Sequence, residues 1–203
     1  MRNALNVFNA LIDQGTISDG LYQYLDSQKI PLDFSDLLRW QWILSVSALD
    51  RYIHDIVRIG MMQVFEGKRP QTPKFQTFRI GMNEFMNITG APIPTIEFER
   101  EVARQHGFLA FQFPDKIADA LAYIWDEKSK WDVISSHMKT PITSHDLRVK
   151  LTNIVTRRNQ IVHEGDCFST LLPLKQQPIS PADTQEVIKF ISELAEAIYV
   201  SVV

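Results

Sequence analysis

A single cysteine, Cys167, is all the chain contains. An internal disulfide is therefore impossible, no set of thiolates can hold zinc, and the usage suits a reducing compartment. No apolar run approaches the ~20 residues that a bilayer-spanning helix needs. The N-terminal MRNALNVFNALIDQG has an apolar side but is interrupted by Asn3, Asn6 and Asn9, and no small-residue cleavage site follows it. A signal peptide is not expected, and a cytoplasmic location without a membrane partner is. A basic excess is lacking too: 21 Lys and Arg against 24 Asp and Glu leave a net charge of -3. No global field draws the chain to nucleic acid, so any such contact must rest on a local patch. There is no Gly-rich phosphate loop, no Gly-x-Ser-x-Gly elbow and no His-Glu-x-x-His pattern. His137 and His145 bracket a proline turn without a cysteine partner, so no metal and no cofactor is expected. Strand alternation never persists beyond a few residues, and no internal repeat is visible.

What the chain does have is helical periodicity. Its 203 residues, 45% hydrophobic and 22% charged, are enough for one domain with a well-buried core. Leu38, Trp42, Leu49, Ile53, Ile56, Met61 and Val64 recur at helical spacing. They predict one long amphipathic helix, with Ser35 or Asp33 as N-cap and Gly67 as its stop, forming the spine of the fold. Lys68 to Ile80 reads as a basic, proline-broken loop. Three shorter helical patterns follow, GMNEFMNIT, PTIEFEREVARQHG and PDKIADALAYIWDEKSKWDVISSHM, the last breaking near Ser129. Then TSHDLRVKLTNIVTRRNQIVHEG opens with Thr143 and Asp146 in capping-box spacing, carries a stripe of Leu147, Leu151, Ile154, Val155, Ile161 and Val162, and ends at Gly165, where a left-handed C-cap belongs. The final helix begins at Ser180 and Asp183, a second capping box, with Pro181 at its first position. The first forty residues predict two short helices broken at Gly15 and Gly20. The fold class is all-α, a helical bundle in a single domain over 1–203.

The stretch that raises a chemical question is TRRNQIVHEGD, Thr156 to Asp166. An Arg with a His five or six places on is cheap, and Arg100 with His106 in EREVARQHG is a control within the same chain. Context separates the two. Leu147 to Arg158 holds Arg148, Lys150, Arg157 and Arg158 with no acid, whereas Arg100 lies between Glu99 and Glu101. Only the first offers a polyanion a favourable local field. Asn159 and His163 are four apart and share a helix face, and Arg157 and Arg158 are long enough to reach toward it. A histidine in a helix's last turn has its imidazolium favoured by the helix dipole, which suits an acid working near neutral pH. A second reading needs no chemistry: basic residues commonly neutralise the carbonyl end of a helix, and His163 then merely caps it.

The segment RRNQIVHEGD resembles the Arg-x(4–6)-His signature of HEPN domains, in the form found in the RiboL-PSP type, and SVSALDRYIHDIV is similar to that type's first core helix. The likeness covers a core of about 35–66 and 143–203, with the helices of 82–138 as an insertion or accessory part. The resemblance implies a two-fold homodimer whose signatures face each other and, in many members, a metal-independent endoribonuclease. It implies Arg158 and His163 as the catalytic pair, with Asn159 and Arg157 supporting them and Asp50 and His54 as polar positions of the first core helix. RNA is the implied partner, a toxin or phage-defence role the implied setting, and an antitoxin or regulatory protein a further implied partner. Asp50 can hold Arg158 or an imidazole, and His54 can carry a proton or bond within the core. Trp40, off the Leu38–Trp42 stripe, is the tryptophan best placed for an interface. A non-catalytic helical module that binds RNA or a nucleotide, or a dimeric scaffold, remains the alternative.

Overall fold

The computed structural model describes residues 1–167 and 175–203. Nine helices occur among them: α1 (Arg2–Ser27), α2 (Asp36–Phe65), α3 (Pro73–Gln76), α4 (Met82–Gly90), α5 (Pro94–His106), α6 (Pro114–Leu121), α7 (Lys130–Ser136), α8 (Ser144–Glu164) and α9 (Pro181–Val202). No strand is present among the described residues, only an isolated bridge between Cys167 and Gln176. The all-helical class expected from periodicity is the class observed.

The spine is α2, which packs against α1, α9, α8, α5 and α6. All seven apolar positions that define its stripe are buried, and Leu49, Ile53 and Ile56 are wholly so. Truncating one of those three to alanine costs about 2–5 kcal/mol by lost transfer energy and residual cavity. Ser35 occupies the N-cap without a side-chain cap bond. Its hydroxyl instead accepts from Arg39 Nη1 at 2.6 Å, and Asp33 Oδ1 accepts the Ser35 N–H at 2.8 Å. Gly67 ends the helix at a φ of 72°, a left-handed turn that suits glycine.

Three sequence expectations need correction. The N-terminal region is one helix, α1, running through Gly15 and Gly20. A mid-helix glycine costs only about 1 kcal/mol, and the burial of Ala4, Leu5 and Phe8 against α2 offsets it. The Lys68–Ile80 loop contains the single turn α3, whose N-cap Thr72 accepts from the Phe75 N–H. The third pattern breaks earlier than Ser129, with α6 ending at Leu121 and Trp125 beyond it. There the carbonyls of Ala122 and Tyr123 accept from the Thr72 hydroxyl, and that of Ile124 from Arg69 Nη1. Tertiary donors take the oxygens that a continuing helix would use.

The signature helix α8 begins as its sequence predicts, with Thr143 Oγ1 accepting from the Asp146 N–H. α9 has the complete Ser180–Asp183 capping box with Pro181 in its first turn. Leu147, Leu151, Ile154, Val155 and Ile161 are buried, but Val162 is 45% exposed. Consecutive residues diverge by about 100° on a helix, so Ile161 and Val162 cannot both face the core. No helix is long and apolar enough to cross a membrane among the described residues.

Candidate functional site

Two structural contacts fix the signature end of α8 before any chemistry is considered. Trp42 Nε1 donates to the Ile154 carbonyl at 3.0 Å. The Arg157 guanidinium then lies over the Trp42 ring, 4.9 Å from its centroid, a cation–π geometry. Beyond α8, Gly165 and Asp166 take φ of 64° and 59°, two successive left-handed residues that glycine and aspartate tolerate best. They turn the chain back so that the Asp166 carboxylate, with no exposed side-chain surface, sits between two arginines. Asp166 Oδ2 accepts from Arg39 Nε at 2.9 Å and from Arg157 Nη2 at 3.2 Å. Arg39 Nη2 donates to the Gln177 carbonyl at 2.7 Å and Arg157 Nη2 to that of Pro178 at 2.8 Å. The cluster thus ties α2, the end of α8 and the chain leading into α9 together.

Sequence reasoning missed Arg39 and gave Asp166 no role. The signal was present: Arg39 falls between Leu38 and Trp42 on a buried stripe, where a charge needs a partner. The partner lies 127 positions away, a separation that helical spacing does not reach.

Arg158 and His163 leave α8 on different sides. Five residues advance a helix by about 500°, so the two directions differ by about 140°. Arg158 shares the side of Leu151 and Val155, with its Nε buried and unpartnered. Its Nη1 donates to Asn159 Oδ1 at 3.0 Å, which draws the guanidinium toward the Asn159 face. His163 is exposed and makes no side-chain hydrogen bond among the described residues. Three of the expected site residues, Arg158, Asn159 and His163, therefore meet at one end of the bundle, and Arg157 is beside them but held by Asp166.

Asp50 and His54 serve a different neighbourhood. They lie on α2 about 16 Å and about 22 Å along the axis from Arg39, at ~1.5 Å per residue. Asp50 Oδ1 accepts the Phe111 N–H at 2.6 Å, and Oδ2 accepts from Gln112 Nε2 at 3.1 Å. His54 Nε2 is 3.1 Å from the Leu109 carbonyl, a contact in which the ring nitrogen must donate. The His54 ring also packs on Phe111, centroids 4.4 Å apart. Next to it His106 is buried among Phe78, Phe111 and Tyr123 with Nε2 unpartnered. Burial, with the nearby His54 and Lys74 charges, pushes the His106 pKa down to about 4. The Arg100–His106 control is thus dispersed: Arg100 pairs with Glu97 at 2.6 Å on the surface, and its histidine is enclosed.

Among the described residues no three His, Cys, Asp or Glu side chains are grouped to hold a metal ion. Trp40 is 52% exposed at the Arg39 end of α2.

A family model described as RiboL-PSP-HEPN matches residues 9–203. The chain belongs to the RiboL-PSP-HEPN family. The match runs through the helices of 82–138 as well as through the two segments that carry the motifs. Comparison with curated proteins and with solved structures gives no match. The Arg-x4-His spacing from Arg158 to His163 lies within the matched residues, at the C-terminal end of α8 beside the Arg39–Asp166–Arg157 cluster.

Proposed function

We propose that this HEPN protein is an endoribonuclease that works as a homodimer and needs no metal. The observation that carries the reading is His163, exposed and without a side-chain hydrogen bond among the described residues, at a helix end where Arg157 is held by Asp166 and Arg158 by Asn159. An exposed imidazole is free to exchange protons with a substrate. Transesterification of RNA requires removal of the 2'-hydroxyl proton, attack of that oxygen on phosphorus, and protonation of the departing 5'-oxygen. A neutral His163 takes the first proton, and the imidazolium of His163 in a second copy gives the last. The products are a 2',3'-cyclic phosphate and a free 5'-hydroxyl.

Arg158 supplies a planar, permanently charged fork for the phosphate oxygens as charge grows on them. Asn159 holds that fork through its Oδ1 and keeps its amide nitrogen for substrate. Arg157 supports the end of the helix from its place against Asp166, and Asp50 and His54 support the fold at a distance. Arg158 and His163 leave α8 about 140° apart, and a two-fold axis beside the signature would bring the second histidine that the reaction needs. Exposed Trp40 and Val162 at that end provide apolar surface for such a contact. A cytoplasmic toxin or phage-defence setting, with an antitoxin or regulator to restrain the enzyme, suits a ribonuclease that is dangerous to its own cell.

The test is cleavage of a mixed RNA pool, in EDTA, by wild type and by His163→Ala, with analysis of product ends and of mass in solution. Cyclic-phosphate ends from a wild-type dimer, and no cutting by the variant, support the proposal; a monomer at micromolar concentration, or equal cutting by both proteins, defeats it. The engagement of Arg157 and Arg158 within the chain favours one alternative, a non-catalytic RNA- or nucleotide-binding module. It would be indicated if both proteins bind RNA and neither cuts.

A further inference from the structure

The N-terminal end of α8 forms a second cationic site that the signature does not use. A cavity of about 540 Å³ lies between α8 and the start of α6, lined among others by Lys116, His145, Arg148, Thr152 and Asn153. Lys116 has no carboxylate within 4 Å among the described residues, and Arg148 pairs only with Asp115 at 3.1 Å, a lining residue whose own side chain is 86% exposed. An ion pair so open to water contributes about 0–1 kcal/mol. A phosphate can therefore replace Asp115 on Arg148 at little cost.

Helix geometry connects this cavity to the signature. His145 and His163 are eighteen positions apart, about five turns, so they point the same way ~27 Å apart along the axis. Arg148, Thr152, Thr156 and Asn159 fall within about 60° of the line between them. His145, Arg148, Thr152, Thr156 and His163 are exposed and Asn159 is half-buried. The two acids of α8, Asp146 and Glu164, both lie about 100° away from that line. An anionic strand laid along it would meet Arg148 and Lys116 near one end, hydroxyls and an amide between, and His163 at the other. A two-fold contact centred on His163 leaves the far end open.

We propose that the Lys116–His145–Arg148 cavity is a distal phosphate-binding subsite for the RNA, joined to the signature by the acid-free stripe of α8. The proposal rests on the reading that RNA is the substrate. A strand in helical geometry advances about 3.4 Å per phosphate, so a trinucleotide at the signature reaches only ~10 Å and misses the subsite. A dodecamer reaches it.

The experiment measures binding of 2'-O-methyl RNA, which cannot be cleaved, as a trimer and a dodecamer, across a salt series. It compares the full-length wild type with the double variant Lys116→Ala/Arg148→Ala. Both replaced side chains are exposed, so the fold is retained. Two lost phosphate contacts should lower the log–log salt slope of the dodecamer by about 1.4 and weaken it about tenfold or more, leaving the trimer unchanged. Equal slopes for the two proteins, equal losses for both lengths, or no binding at either length would overturn the subsite. If the dodecamer shows the expected loss but wild type cuts nothing in EDTA, the subsite stands and the ribonuclease reading falls.

Discussion

Two polar regions along the spine, one near Arg39 and one near Asp50, differ in what is left over once their internal bonds are counted. Around Asp50, both carboxylate oxygens, the His54 ring and the backbone of 109–112 are mutually engaged, and His106 is enclosed by aromatic rings. Around Arg39, the arginines and Asp166 also bond chiefly to one another and to nearby carbonyls, yet the same helix end carries His163 without a side-chain hydrogen bond among the described residues. The contrast separates support from chemistry: a histidine whose neighbours consume its bonding capacity braces a loop, while one left exposed beside a braced arginine is available to a substrate.

The largest effect on that contrast should come from removing the brace. Asp166→Ala leaves Arg39, only 6% exposed, without its buried counter-charge, and should cost about 3–5 kcal/mol in urea unfolding. The double variant Arg39→Met/Asp166→Ala should recover part of that loss, since no uncompensated Arg39 charge remains. If the single variant unfolds at the wild-type midpoint, the cluster is not what holds the signature end.

His106 sharpens the other side. Its folded pKa of about 4 lies below the ordinary histidine value of 6.5, so the unfolded chain binds more protons between these values. Stability is therefore complete above about pH 6.5 and declines as pH falls toward 4, by roughly 2 kcal/mol once partial solvent screening is allowed for. Thermal or urea melts at pH 7 and pH 4.5 read this difference, and His106→Phe should remove much of it. An unchanged slope in the variant would assign the acid sensitivity to other groups. Asp50→Asn is expected to cost less, about 1–2 kcal/mol, because the Phe111 N–H and Gln112 keep neutral oxygen acceptors in place of charged ones. An unaltered urea midpoint would show that the charge on Asp50 adds nothing to the loop.

How much of the molecule is legible in its sequence depends on the separation between partners. α2, α8 and α9 announce themselves through repeating apolar residues and local caps, all within four positions of one another. The Arg158-to-His163 spacing is legible for the same reason, together with the acid-free run from Leu147 to Arg158. What stays hidden depends on distant partners: Arg39 with Asp166, Asp50 with residues 111 and 112, and the Thr72 and Arg69 donors that stop α6 at Leu121. The misread of α1 has another cause, a small glycine penalty outweighed by packing. Gly20 has open space where a Cβ would stand, so Gly20→Ala should stabilise by about 0.5–1 kcal/mol. A lowered melting temperature would mean that the helix is not continuous there.

The smallest expected change in stability belongs to the residue with the largest expected change in activity. His163→Ala removes an exposed ring with no hydrogen bond among the described residues, so stability should move by less than about 0.5 kcal/mol. The purely structural reading of the signature makes the opposite claim: if His163 caps the carbonyl end of α8, its loss should cost about 0.3–1 kcal/mol. Urea unfolding of wild type and variant distinguishes the two. A near-zero difference leaves His163 without a role in the fold and makes its exposure at the end of α8 a matter of chemistry.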